Sequence, residues 1–141
     1  MTSSAGEPES TEAESPTPRA IIAGHGSFPE GMVSAVDQIS GYGKVFVALS
    51  NSGLTGEDIE SRLRARSQAL GVKVFFTDLP AGSATIAVRR IMRDTEGVIL
   101  VTGANLATLL EFVFRGEETP EDAARHAAEK GRSSLSASCE G

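Results

Sequence analysis

The sequence predicts an α/β fold: an open, doubly wound, mainly parallel sheet of strand order 2-1-3-4, with helices on both faces. Three observations carry this. Four short apolar runs lack the polar–apolar alternation of a half-exposed strand, the mark of strands covered on both faces. Each run is followed by a longer stretch with apolar residues at helical spacing. Glycine, proline and small polar residues punctuate the junctions. Strands separated by helices pair in parallel through right-handed crossovers. In the order 2-1-3-4 the switch point falls between the first and third strands, where open sheets collect ligands.

The first strand spans about 19–23 and ends in Gly24-His25-Gly26. A helix follows, with Ser27, Pro29 and Glu30 reading as a capping box with proline in the first turn. Met32, Val33, Val36 and Ile39 form its inward face, and Gly41 and Gly43 end it. The second strand covers 44–49 and a loop covers 50–56. The second helix runs from Thr55 or Glu57 to Leu70, with Ile59, Leu63 and Leu70 inward and Gly71 as its stop. The third strand covers 72–77 and ends at Asp78. After the loop 78–82, a third helix from Ser83 to about Arg93 buries Ile86, Val88 or Ala87, and Ile91. The fourth strand covers 97–102, with Gly103-Ala104-Asn105 as a turn and Asn105 capping a helix over 106–115. That helix carries Leu109, Leu110, Val113 and Phe114. Thr119-Pro120-Glu121-Asp122 opens a fifth, alanine-rich helix that ends near Lys130.

The domain reading is a disordered acidic leader over 1–18, one folded domain over 19–131 and a flexible tail over 132–141. The leader holds four of the nineteen acids and none of the thirteen lysines and arginines, so the remainder is nearly neutral. A near-neutral domain lacks the basic footprint of non-specific nucleic-acid binding. The first residues have neither the basic start and apolar middle of a signal peptide nor the ~20 apolar residues of a membrane span. A cytoplasmic location without membrane insertion is the expectation. The single cysteine, Cys139, permits no disulfide within one chain.

His25 and Asp78 both fall at carboxyl ends of strands flanking the switch point. A carboxylate that accepts from one imidazole nitrogen fixes the tautomer and leaves the other nitrogen free as a nucleophile. Glycines 24 and 26 allow close backbone approach, and the starts of the first and third helices offer N–H groups to an anion. Ser27, Gly82 and Ser83 lie at those helix starts. Taken alone, Gly24-His25-Gly26 fits a metal ligand, a phosphatase, a phosphocarrier or a plain turn. With Asp78, the helix starts and Ser83, the parts suit a transiently phosphorylated histidine.

Ile-Ile-Ala-Gly-His-Gly-Ser-Phe-Pro-Glu-Gly-Met (21–32) resembles the active-site start of the mannose-class enzyme IIA domains of the bacterial sugar phosphotransferase system. Phe-Thr-Asp-Leu-Pro-Ala-Gly-Ser-Ala (76–84) and Val-Thr-Gly-Ala-Asn-Leu-Ala-Thr-Leu-Leu-Glu (101–111) are similar to the family's second and third motifs. The family's usual Gly-Gly after the aspartate is here Ala81-Gly82, and Ala84 stands where a proline is common. The resemblance implies that His25 accepts a phosphoryl group from phospho-HPr and passes it to an enzyme IIB component during sugar uptake. It implies that Asp78 holds His25 with Nε2 as the attacking nitrogen. Gly24, Gly26, Ser27, Gly82 and Ser83 would bind the phosphoryl group. It implies no metal or organic cofactor, and a homodimer that exchanges a swapped antiparallel edge strand, although no fifth strand is legible here.

Three other outputs are weighed. The phosphoryl-donor subunit of dihydroxyacetone kinase shares the fold, but its motif resembles Ser-His-Ser. A regulatory phosphoprotein would keep the chemistry and change the output. A small tetrapyrrole metal chelatase would use His25 as a ligand and needs further His or Glu ligands, whereas the second histidine, His126, lies on the late helix and reads as surface.

Overall fold

The structure, a computed structural model, describes residues 17–140. The expected leader therefore lies, except for its last two residues, outside the described residues. Four strands are present among the described residues: β1 (Ala20–Gly24), β2 (Phe46–Ser50), β3 (Val74–Thr77) and β4 (Ile99–Val101). Five α-helices alternate with and follow them: α1 (Phe28–Ser40), α2 (Gly56–Leu70), α3 (Ser83–Asp94), α4 (Leu106–Phe114) and α5 (Pro120–Ser134). All strand pairs are parallel and the order is β2-β1-β3-β4, the predicted 2-1-3-4.

Successive strand residues point to opposite faces, and β1 shows why its sequence has no alternation. Ala20 and Ile22 enter one core layer with Val36 of α1, Leu109 and Phe112 of α4, and the small face Ala123, Ala124 and Ala127 of α5. Ile21 and Ala23 enter the other with Ile59 and Leu63 of α2 and Ala84, Ala87, Val88 and Ile91 of α3. The first layer centres on Phe46, Phe76 and Phe112, whose rings meet at centroid distances of 5.1–5.9 Å, the range of favourable aromatic pairs.

Several boundaries and faces differ from expectation. The segments before β2 and β3 take up strand-like sequence: residues Gly43–Val45 form a 3-10 turn, and β3 begins at Val74 rather than Val72. Ile39, Leu70, Ile86 and Phe114 are exposed instead of inward. Thr85 and Phe112 hold the inward positions beside the latter two. The Ser27–Glu30 capping box does not form: Ser27 is the N-cap but makes no side-chain cap bond. Reciprocal boxes occur instead at Thr55–Asp58 and Asn105–Thr108. Helix α5 runs on to Ser134, into the expected tail, because Gly131 packs against α4 and its carbonyl accepts from Asn105 Nδ2 at 3.0 Å. Residues 135–140 carry no strand.

Candidate functional site

The pairing of Ala23 with Thr77 puts the next residues, Gly24 and Asp78, side by side where β1 and β3 end. His25 is the first residue beyond β1. Its backbone N–H donates to Asp78 Oδ2 at 2.8 Å, and its ring Nδ1 lies 2.8 Å from the same oxygen. One carboxylate oxygen thus grips both the main chain and the ring of His25. The other, Oδ1, is buried with no hydrogen-bond partner.

The pair is asymmetric in exposure. The Asp78 side chain is 11% exposed and the His25 side chain 55%. Burial pushes the Asp78 carboxyl up, but the His25 N–H, the ring hydrogen bond and the ring charge together hold it below the usual carboxylate range. An ionised carboxylate only accepts, so Nδ1 is the protonated nitrogen of neutral His25. Nε2 is left with its lone pair on a half-exposed ring.

Two glycines are dictated by this packing. A Cβ on Gly24 would stand 2.7 Å from both Cγ and Oδ2 of Asp78. A Cβ on Gly82 would stand 3.1 Å from His25 Cε1. Cε1 lies between the two ring nitrogens, so the free Nε2 edge of the ring sits beside the N-terminus of α3, where Gly82 is the N-cap. Gly26 has a different reason: its φ of +55° is the left-handed turn that swings the chain from β1 into α1.

The two helix starts are not equivalent as anion sites. At α1 the Phe28 N–H is spent on the His25 carbonyl at 3.0 Å, Pro29 has no N–H, and Glu30 adds a negative charge. At α3 the first-turn N–H groups of Ser83, Ala84 and Thr85 precede the first intrahelical bond, made by Ile86 to Gly82. No acid lies in that turn. Thr85 Oγ1 donates to the Leu79 carbonyl at 2.5 Å and meets Thr77 Oγ1 at 2.6 Å, locking this helix start to the end of β3.

His25, Asp78, Gly24, Gly82 and Ser83 are therefore brought together on one rim. Gly26 and Ser27 border it. Asn51, which the sequence reading leaves in a loop, belongs to the same rim. It follows β2, its N–H donates to the Gly24 carbonyl at 2.9 Å, and its side-chain Nδ2 donates to Ser83 Oγ at 2.6 Å. The available signal was positional: a short amide immediately past the strand neighbouring β1. His126 is remote on α5, paired with Glu118 at 2.8 Å. Among the described residues no group of three or more His, Cys, Asp or Glu side chains could hold a metal ion, and no helix is long and apolar enough to cross a membrane.

Comparison with known proteins agrees with the geometry. The sequence model of the EIIA-man family, described as PTS system fructose IIA component, matches residues 19–129. A phosphotransferase component EIIA from Streptococcus agalactiae superposes with a TM-score of 0.75 at 21% identity, covering 84% of this chain and 95% of that one. The mannose/sorbose-specific IIA subunit from Enterococcus faecalis gives 0.75 at 19% identity, covering 89% and 97%. A PTS IIA protein associated with the fucose utilization operon of Streptococcus pneumoniae gives 0.67 at 19%, covering 87% and 94%. At these identities the structures share the fold. No curated protein matches the sequence.

Proposed function

Since the chain belongs to the EIIA-man family of phosphotransferase-system IIA components, we propose that it is a cytoplasmic phosphoryl carrier that works through His25. The observation that carries this reading is the single Asp78 oxygen holding His25 by its main chain and by Nδ1. That grip leaves Nε2 as the free nucleophile.

The transfer follows from these positions. The donor is the phosphohistidine of HPr. The Nε2 lone pair forms a bond to phosphorus as the donor's P–N bond breaks, and that bond's electron pair returns to the donor imidazole. The Nδ1 proton stays on His25, and Asp78 offsets the positive charge that develops on the ring. The first-turn N–H groups of α3 and the Ser83 hydroxyl meet the phosphoryl oxygens. Gly24 and Gly82 keep Asp78 and the ring in place, while Gly26 and Ser27 bound the mouth. In the second half-reaction the roles reverse and an enzyme IIB component accepts the group for sugar uptake. A nucleophile that is 55% exposed suits delivery between macromolecules, and Leu79, exposed beside Asp78, offers apolar contact for such partners. The outer edge of β4 has no strand beside it among the described residues, which fits a homodimer formed by strand addition along that edge.

Incubation with phosphoenolpyruvate, enzyme I and HPr produces an acid-labile phosphoprotein on this reading, and His25→Ala abolishes the label. A label that persists in that variant overturns it.

A further inference from the structure

Asn51 occupies a position that the transfer chemistry as described does not use. Its main chain is fixed by two bonds: its N–H donates to Gly24, the residue before His25, and its carbonyl accepts from Leu54 N at 3.1 Å. From this anchored position the side chain reaches the start of α3, where Nδ2 donates to Ser83 Oγ at 2.6 Å. A hydroxyl has one proton and two lone pairs. With Asn51 filling one lone pair, the Ser83 proton is directed to another acceptor, and among the described residues Ser83 Oγ donates to no protein group. Ser83 is the first residue of α3 and follows Gly82, the N-cap against which the His25 ring lies.

We propose that Asn51 is a positioning residue that orients the Ser83 hydroxyl so that it donates to a phosphoryl oxygen on His25 Nε2. The inference rests on the phosphoryl-carrier reading and extends it by one residue. Asn51 acts through Ser83 and touches no reacting atom. Its amide fills one lone pair of the hydroxyl, so the donor is aimed before the anion arrives.

The experiment is a double-mutant cycle with two ways of loading His25. Phospho-HPr supplies the group enzymatically. Phosphoramidate supplies it chemically: its P–N bond breaks, ammonia leaves and phosphorus bonds to Nε2. Asn51→Ala keeps both backbone bonds, which thermal melting checks. One oriented hydrogen bond is worth about a threefold to tenfold change in transfer rate. Asn51→Ala and Ser83→Ala each slow transfer by that factor, and the double variant is no slower than the slower single. Asn51→Asp is nearly the same size but only accepts, so it draws the Ser83 proton away from the ligand. It transfers more slowly than Asn51→Ala through its charge as well as the misdirected proton, so the 31P comparison below is the readout that a merely structural role does not move. In chemically phosphorylated protein, the 31P resonance of Asn51→Ala moves in the same direction as that of Ser83→Ala. Wild-type rates in either Asn51 variant, multiplicative losses in the double variant, or an unmoved 31P resonance overturn the inference. A wild-type chain that phospho-HPr fails to label removes the functional reading instead, and the phosphoramidate arm still decides whether Asn51 aims Ser83.

Discussion

Replacing Gly24 by alanine isolates the contact on which the site turns. Gly24 sits in a strand with ordinary φ, so alanine fits the backbone without strain. The methyl group, however, falls 2.7 Å from Asp78 Cγ and Oδ2 and 3.1 Å from Oδ1. Ordinary van der Waals contact requires the carboxylate to retreat by roughly half an ångström or more. Both 2.8 Å bonds to His25 end on the atom that must move. Hydrogen bonds to charged groups are worth about 1.5–3 kcal/mol, and a misplacement on the order of 1 Å costs about 100-fold in rate. The two figures agree, since a 100-fold loss corresponds to about 2.7 kcal/mol. The expected outcome is a roughly 100-fold slower phosphorylation of His25 by phospho-HPr, measured by rapid quench. In the 15N spectrum, the His25 ring loses its single protonated-Nδ1 tautomer and becomes a mixture. Gly26→Ala is the contrast: its φ of +55° costs about 1–2 kcal/mol of stability, but its Cβ meets nothing, so the Nδ1 tautomer persists. Transfer within twofold of wild type in Gly24→Ala, with the tautomer unchanged, refutes the reasoning.

Two further predictions concern charge and packing. Asp78 is held below the ordinary carboxylate range in the folded chain, so its stabilising contribution is complete above the unfolded value of about 3.9. That contribution is lost as pH falls through the folded value. Asp78→Asn should therefore narrow the stability gap between neutral and acid pH in denaturant melts, and an unchanged gap counts against the hydrogen-bonded grip of Asp78 on His25. At Gly131 an added Cβ would overlap the Thr108 hydroxyl and crowd Asn105 Oδ1, prising α5 from α4. Gly131→Ala should cost about 1–3 kcal/mol in urea unfolding while leaving the His25 tautomer in place.

The fold was legible because each strand carries its own proof of burial. Residues 20–23 are apolar at every position, and only a strand covered on both faces needs that. The parallel order then followed from the helices between. Faces were less legible where neighbouring residues competed for one inward position. Ile86 and Thr85 both adjoin the α3 core, and hydrophobicity favours Ile86. The side chain that goes inside is Thr85, because its hydroxyl satisfies the Leu79 carbonyl and meets Thr77. Residue preference could not reveal a polar group buried for its partner. The Ser27–Glu30 motif failed for a backbone reason: Ser27 has φ −91° and ψ 11° rather than the extended backbone of a capping serine, and its hydroxyl makes no cap bond. Asn51 was invisible because its partner lies 32 residues away and only the parallel register brings them together.

A buried acceptor without a partner costs about 1–3 kcal/mol, and Asp78 Oδ1 is such an atom. A structural carboxylate would gain by filling both oxygens. Here the compensation comes mainly from His25 through Oδ2, so the ionised state of Asp78 and the orientation of His25 are closely coupled. For a relay this coupling has a use. The imidazole becomes more positive as phosphorus bonds to Nε2, and the Nδ1–Oδ2 bond then strengthens against a carboxylate that no other donor has neutralised. On the phosphoryl-carrier reading the bond relaxes again when the group leaves and the ring returns to neutrality, so this carboxylate sets how firmly His25 retains the group between its two partners. A second donor on Oδ1 would hold Asp78 more tightly and weaken that response.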